Sequence, residues 1–222
     1  MDSRGKMSRL TVGLMVMVLA LVAAGLGGCW RPAGIGVGGK YIDGVNELSR
    51  SRKGGNVRKA IVDLQYVVSR DPTYLDSLTQ LGRAYYHAGR YTAALEVLKR
   101  ALAVNKDDEI AWLVLGLTQF RRDEDQKALA SYKGGLTLLA KATRDGYRDF
   151  TVEFWDVKGT VRRALRRNIS LAREGVSKKS GILVAGEDLL HRIAQQLYEA
   201  EADRDHEQYL EGKRGGSRDK ER

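Results

Sequence analysis

The chain has 222 residues and a formal net charge of +10, with 43% hydrophobic and 30% charged residues. This balance is typical of a globular protein and excludes a polytopic membrane protein or a wholly disordered chain. Two prolines and many helix formers favour an all-α fold. Nucleic-acid binding is not expected despite the positive charge, because the aromatic residues are not interleaved with a basic platform.

The first 28 residues have the form of a cleaved secretory signal. Three basic residues precede an uncharged apolar segment at 10–26. The sequence Leu26-Gly27-Gly28-Cys29 that follows resembles a bacterial lipobox, in which the cysteine is acylated and becomes the mature N-terminus. Because Cys29 is the only cysteine of the chain, lipidation is favoured over an uncleaved signal anchor. Apart from this covalent lipid, no cofactor and no metal are expected.

The residues after the signal predict both a tether and a location. Residues 29–40, rich in glycine, are expected to link the lipid flexibly to a folded domain. By the lipoprotein resemblance, an aspartate after the cysteine would retain the protein in the inner membrane. Trp30 stands there instead, which implies the periplasmic face of the outer membrane in a diderm bacterium. A monoderm source would place the protein on the outer face of its single membrane, and the sequence leaves this choice open.

A repeat with a period of 34 residues organises the segment 71–139. Leu81-Gly82 recurs as Leu115-Gly116, and each pair lies within a stretch of helical apolar spacing. Such a period indicates stacked helical hairpins, in which the glycines allow two helices to approach closely. The other matched pairs are Ala94 and Ala128, Leu98 and Tyr132, and Ala101 and Gly135.

The two units at 75–108 and 109–142 resemble tetratricopeptide repeats (TPR). A third unit at 41–74 fits the same register less well, because Gly44 and Glu47 depart from the pattern in its first helix. Its second helix fits, with Asn56 placed as an N-cap. The resemblance implies an all-α fold, an α-α superhelix of two to three TPR hairpins at 41–140 with extra C-terminal helices.

The resemblance also implies a concave groove, lined by the first helix of each hairpin, that holds peptide segments of a partner. The helix predicted at 109–122 is apolar nearly all round, so it is expected to be covered on all faces. The occupant of the groove is either the chain's own C-terminal part, with 147–157 the best candidate segment, or a partner protein. The residues expected to face the groove are Asp76, Thr79, Arg83, Tyr86, His87, Ile110, Leu113, Leu117, Phe120 and Arg121.

Residues 143–211 lose the period and are predicted to form a helical extension that caps the stack. Within it, 161–173 predicts an amphipathic helix whose basic face could bind anionic lipid or a cell-wall polymer, or could simply be solvated. A last helix is predicted from Ile182, with Glu187 in its first turn. The tail at 212–222 is basic and predicted to be disordered. The basic face consists of Arg162, Arg163, Arg166 and Arg167.

No catalytic motif occurs, and the three histidines are far apart in sequence, so the chain is not expected to be an enzyme. The expected function is that of a membrane-anchored TPR scaffold lipoprotein. It would mediate protein–protein interactions in the assembly or maintenance of a bacterial envelope complex, such as pilus, secretion, outer-membrane or cell-wall machinery. Its partners would be envelope proteins in the groove and the bilayer that holds the lipid. The alternatives are an anion-binding envelope protein that uses the helix at 161–173, and a cryptic cell-wall enzyme.

Overall fold

The fold consists of α-helices throughout the residues described in a computed structural model, which are 36–50, 55–145 and 155–218, with side chains up to 199. The predicted signal, Cys29 and most of the tether lie outside these ranges. The eight α-helices are α1 (Val37–Ser49), α2 (Val57–Arg70), α3 (Ser77–His87), α4 (Tyr91–Val104), α5 (Glu109–Arg121), α6 (Asp125–Asp145), α7 (Thr160–Glu174) and α8 (Lys179–Arg218).

Successive helices pair as hairpins, which confirms the predicted all-α superhelix. The pairs α1 with α2, α3 with α4, and α5 with α6 form a stack, and α7 with α8 forms a fourth pair at its end. The turns inside the second and third hairpins are the same, because Gly89 and Asp123 both adopt a left-handed backbone, with φ of 71° and 59°. These two residues are one period apart, and both glycine and aspartate tolerate this conformation.

In each hairpin the two helices approach each other closely at one glycine of the first helix. A Cβ added to Gly82 would lie 2.6 Å from Leu98, and one added to Gly116 would lie 2.8 Å from the Tyr132 backbone nitrogen. The helices therefore touch at points where no larger residue fits without displacement. In the first hairpin the same contact joins Gly44 and Leu64, at 2.8 Å.

The first hairpin forms this close contact although Gly44 departs from the 34-residue register, as predicted. Seven residues (50–56) separate α1 from α2, whereas three (88–90) separate α3 from α4, and the difference in length displaces Gly44 from the register. Glu47 accepts a hydrogen bond of 2.9 Å from the Asn56 backbone N–H at the start of α2. Its side chain thus ties the two helices together across the longer loop.

Helix α1 begins at Val37, so the predicted tether at 29–40 is too long by four residues. Two glycines occupy its first turn and disfavour helix. Tertiary contacts outweigh this preference, because Gly38 lies against the Tyr74 hydroxyl and Lys40 forms an ion pair with Asp63 on α2. Tyr41 further donates a hydrogen bond from its hydroxyl to the Asp76 carboxylate.

The Asp63 carboxylate forms a buried polar link between α1 and α2. Its side chain is 3% exposed and it receives Lys40 Nζ at 2.7 Å and Lys59 Nζ at 3.0 Å. Burial alone would raise the pKa of this carboxyl, but the hydrogen bonds from the two lysines outweigh burial and lower the pKa below its ordinary value. The charged form of Asp63 is therefore favoured in the folded chain.

Replacing Asp63 with asparagine should lower the free energy of unfolding by about 1.5 kcal/mol at pH 7, since charged hydrogen bonds to a buried group are lost. Because the folded pKa is below that of the unfolded chain, this stabilisation is complete above the unfolded pKa and disappears as the pH falls through the folded value. Urea unfolding should therefore show the variant and the parent converging below about pH 3.8, the ordinary value for aspartate.

The matched control is Asp43→Asn, since Asp43 is 42% exposed and lies 3.8 Å from the same Lys59 Nζ. An exposed pair of this kind contributes about 0–1 kcal/mol. If the two variants lose equal stability at pH 7, the buried Asp63 link does not hold α1 on α2.

Asp156 starts the C-terminal pair by capping α7. Its carboxylate is 1% exposed and accepts the backbone N–H of Val161 and of Arg162, both at 2.9 Å. The preceding residues 146–154 lie outside the described part, so the predicted covering of the groove by 147–157 falls largely beyond it. Trp155, next to Asp156, is 3% exposed and belongs to the hydrophobic core.

Helix α8 is longer than predicted at both ends. It begins at Lys179 rather than near Ile182, and it continues to Arg218 through the segment predicted to be a disordered tail. Extending an existing helix is far easier than nucleating a new one. Basic residues at a helix C-terminus also interact favourably with its dipole. Both effects favour a helix at 212–216, and they outweigh the low helix propensity of the glycines there.

Candidate functional site

The concave groove of the stack contains α8. The first half of this helix packs against α5 and reaches α1. Between α8 and the ends of α1 and α3 there is a small cavity, lined mainly by Leu48, Arg83, His87, Leu190 and His191. Of the two expected kinds of occupant, the structure therefore shows the chain's own C-terminal part, through α8.

Helix α8 lies close against the groove at Gly186. A Cβ placed there would be 2.7 Å from the Tyr132 hydroxyl oxygen and 2.8 Å from a Leu117 methyl group. Leu117 itself is fully buried. The groove floor is thus matched to a residue without a side chain at this point of the helix.

The next residue, Glu187, is the electrostatic contact between α8 and the groove. Its Oε1 atom accepts a hydrogen bond of 2.7 Å from the Tyr86 hydroxyl and one of 3.0 Å from Arg121 Nη2. Burial raises the pKa of the Tyr86 phenol, and the hydrogen bond with Tyr86 raises the pKa of the Arg121 guanidinium. At physiological pH the groove therefore presents a protonated hydroxyl and a cation, both suited to a carboxylate.

A buried polar network lies below Gly186. The Tyr132 hydroxyl donates to Asn168 Oδ1 at 2.6 Å, and Asn168 Nδ2 donates to the backbone carbonyl of Ala185 at 3.1 Å. Tyr132 and Asn168 are almost fully buried, and burial raises the pKa of the Tyr132 phenol. Tyr132 occupies the repeat position that is leucine in the other hairpins, and its hydroxyl joins α6, α7 and α8.

The predicted groove residues divide into two groups. Tyr86, Leu117 and Arg121 contact α8, and Arg83 and His87 line the cavity beside it. In the other group, Ile110 and Phe120 belong to the hydrophobic core and are 4% and 0% exposed.

Thr79 and Leu113 contact other residues of the repeat stack. The Thr79 hydroxyl donates at 2.6 Å to Asp108, the N-cap residue of α5, and so joins two hairpins. Leu113 packs against the position of Gly135 on α6, where an added Cβ would lie 2.8 Å away. The absence of a side chain at Gly135 makes the space for Leu113 inside its own hairpin. Asp76 is held by Gln80 on its own helix and by Tyr41.

Sequence reasoning missed Gly186, Glu187 and His191 as groove contacts. Glu187 was assigned to the first turn of a helix, but α8 begins eight residues earlier, so Glu187 lies well inside it. The earlier start is held by Lys179, which forms ion pairs with Asp123 at 2.5 Å and Asp125 at 2.8 Å, residues far away along the chain. Those acidic residues lie in the turn before α6 and in its first turn.

The predicted basic face of α7 is partly engaged. Arg162 forms an ion pair with Asp156 at 3.3 Å, and Arg163 Nη1 donates at 2.9 Å to the Lys158 carbonyl. Arg166 and Arg167 are exposed. Two of the four arginines expected to bind anions, Arg162 and Arg163, therefore contact the residues just before α7.

In the segments with described coordinates, no three His, Cys, Asp or Glu residues are arranged to hold a metal ion. Over the same residues, no helix is both long enough and apolar enough to cross a bilayer.

Residues 52–118, from the stretch between α1 and α2 through most of α5, match the family model described as tetratricopeptide repeat. This part of the stack, α2 to α5, is therefore similar to tetratricopeptide repeats. No curated protein matches the chain at a significant level. TPR domains bind protein partners and are typically non-catalytic scaffolds, so the TPR region points to protein–protein interaction.

Proposed function

We propose that the chain is a lipid-anchored TPR scaffold of the bacterial cell envelope, held in the membrane by a lipid on Cys29, and not an enzyme. The observation that carries the interaction role is the stack of three hairpins that includes the TPR match. The signal-like first 28 residues and the position of the single cysteine support the anchor. The proposed partners are envelope proteins that act in assembling or maintaining an envelope complex.

The surface that supports docking best is the groove around Tyr86, His87, Leu117 and Arg121. It combines an apolar floor with a cationic end, which suits a helical or extended segment that carries a carboxylate. His87 and Arg121 are accessible at its rim, with His87 exposed and the Arg121 side chain 39% exposed. A probe at this rim can therefore report a partner without disturbing the buried floor.

A photo-crosslinking residue at His87, irradiated in intact cells, should yield a covalent product with another envelope protein. The matched control is Val62, which is 63% exposed on α2. Mass spectrometry of the products identifies the partner. The docking proposal fails if His87 yields only uncrosslinked protein, or if both positions give the same products.

Replacing Cys29 with serine should abolish incorporation of an alkyne-labelled fatty acid and release the protein from the membrane fraction, because a hydroxyl cannot take the place of the acylated thiol. Trp30→Phe is the matched control and should keep both properties. Metabolic labelling followed by fractionation measures them. Retained label in the Cys29→Ser variant would contradict the lipid anchor.

A further inference from the structure

We propose that residues Ile182–Ile193 of α8 act as an intramolecular ligand of the TPR groove, and that the partner presents an amphipathic helix with the same pattern and displaces them. The pattern is a glycine, a glutamate directly after it, and apolar residues three and six positions after the glutamate. In α8 these are Gly186, Glu187, Leu190 and Ile193. This inference rests on the proposed function, since it specifies the chemistry of the segment that docks.

Steric fit favours glycine at position 186. A Cβ there would lie less than 3.0 Å from the Tyr132 hydroxyl and from a Leu117 methyl group. Both side chains are almost fully buried, so moving them to admit a larger residue disturbs the packing around them. The groove therefore prefers a helix with glycine at this position over other amphipathic helices.

Electrostatic contacts in the groove favour glutamate at position 187. Directly after the glycine the groove offers the Tyr86 hydroxyl and the Arg121 guanidinium, which both bind one oxygen of Glu187. A partner helix with a basic residue here would place two cations together, which is unfavourable. The sequence of the occupant is thus constrained at two successive positions by two independent contacts.

Helix α8 lies in the groove with one apolar face buried. Leu190 and Ile193 are 5% and 2% exposed, whereas Val184 on the same helix is 69% exposed. One stripe of α8 is therefore buried and the other faces solvent, as for an amphipathic helix laid in a groove. A partner helix with the same stripe would satisfy the same floor.

The apolar side chains of the buried stripe hold α8 in the groove, because the Glu187–Arg121 pair is 31% and 39% exposed and such a pair contributes only about 0–1 kcal/mol. A partner helix with the same stripe replaces these apolar contacts as it displaces α8, so the groove is not left empty. Gly175, which precedes α8 and a short 3₁₀ helix, has φ of 87° and open space around it. A tethered occupant competes at an effective concentration of the order of millimolar, so it suppresses weak partners and admits only matched ones.

The test uses a fluorescent peptide of residues 179–199 and the complete mature chain. In the parent protein the tethered α8 should compete, and the peptide should bind weakly. In a Gly186→Leu chain the tethered helix no longer fits, so the peptide should bind at least about tenfold more tightly by fluorescence anisotropy, a difference of about 1.4 kcal/mol. A peptide that itself carries Gly186→Leu should not bind either chain.

Two variants guard the interpretation. Glu187→Lys weakens the tethered helix without adding bulk at the glycine, and should also strengthen peptide binding if Gly186→Leu fails to fold by circular dichroism. Val184→Leu, on the exposed stripe, should bind the peptide as the parent does. Equal affinity for the parent and both groove variants would overturn the proposal. It would also be overturned if the variants dimerise and exclude the peptide, because the occupant would then be a second copy.

These outcomes are independent of the docking experiment in cells. The peptide assay uses purified protein. If it fails while a partner is still crosslinked at His87 in cells, the proposed function stands, and the partner does not carry the sequence pattern of α8. Conversely, absence of any crosslink in cells would remove the proposed function while peptide binding remained measurable.

Discussion

Replacing Gly116 with alanine should lower the free energy of unfolding by about 2 kcal/mol. The new Cβ would lie 2.8 Å from the Tyr132 backbone nitrogen and 2.9 Å from its Cα, so the backbones of α5 and α6 must move apart. In an open helix the same change would be favourable by about 0.5–1 kcal/mol, because glycine is a poor helix former. The sign of the effect therefore reports the close approach of the two helices. Chemical denaturation measures it.

Gly134→Ala is the matched control in the same hairpin. The nearest atom to its added Cβ is in Trp112, at 4.0 Å, which is ordinary contact. This variant should gain about 0.5–1 kcal/mol from helix propensity. If Gly116→Ala is stabilising to the same degree, the glycine contact does not close the hairpin.

Ending the chain after Lys178 should abolish a stable fold. The first half of α8 buries Ile182, Leu189, Leu190 and Ile193, and each contributes about 1.5–3 kcal/mol on burial. Their loss also exposes the apolar floor at Leu117. The sum is comparable to the whole stability of a domain, about 5–15 kcal/mol, so the shortened chain should aggregate or unfold without cooperativity.

The matched truncation ends after Glu199 and retains the whole groove-filling segment. Its free energy of unfolding should stay within about 0.5 kcal/mol of the parent value, as for a change away from the core. Thermal unfolding followed by circular dichroism compares the two. If both truncated chains are equally stable, the first half of α8 lies on the surface of the stack and is not part of its core.

Periodicity predicted the two regular hairpins because their contacts are local and repeat at a fixed spacing. It failed to place Gly44, since a longer inter-helix loop shifts that contact out of register while leaving its geometry unchanged. It also placed the start of α1 too late, because the glycines at its beginning read as a linker. Contacts with α2 and the following loop decide that boundary, and they join residues far apart in sequence.

The groove was predictable in part. An α5 apolar on nearly every face showed that something must cover it, and the structure has every residue from Leu113 to Phe120 buried. The segment that covers α5 was not predictable from the sequence. Gly186 and Glu187 are recognisable as groove contacts only once the fold places Leu117, Tyr86 and Arg121 next to them. The contact between Leu113 and Gly135 was not predictable for a similar reason, because it joins two different helices of the hairpin.

The most direct test of the account is a thiol crosslink between the groove and α8. Cysteines at Arg121 and Glu187, in a Cys29→Ser chain, should be joined within one molecule by a short bis-maleimide, since the parent side chains meet at 3.0 Å. A pair at Arg121 and Tyr198 is the control, because Tyr198 lies about 16 Å further along the helix. Rapid intramolecular crosslinking of the first pair alone is the expected result. Equal rates for the two pairs, or products that join only separate molecules, would contradict the account.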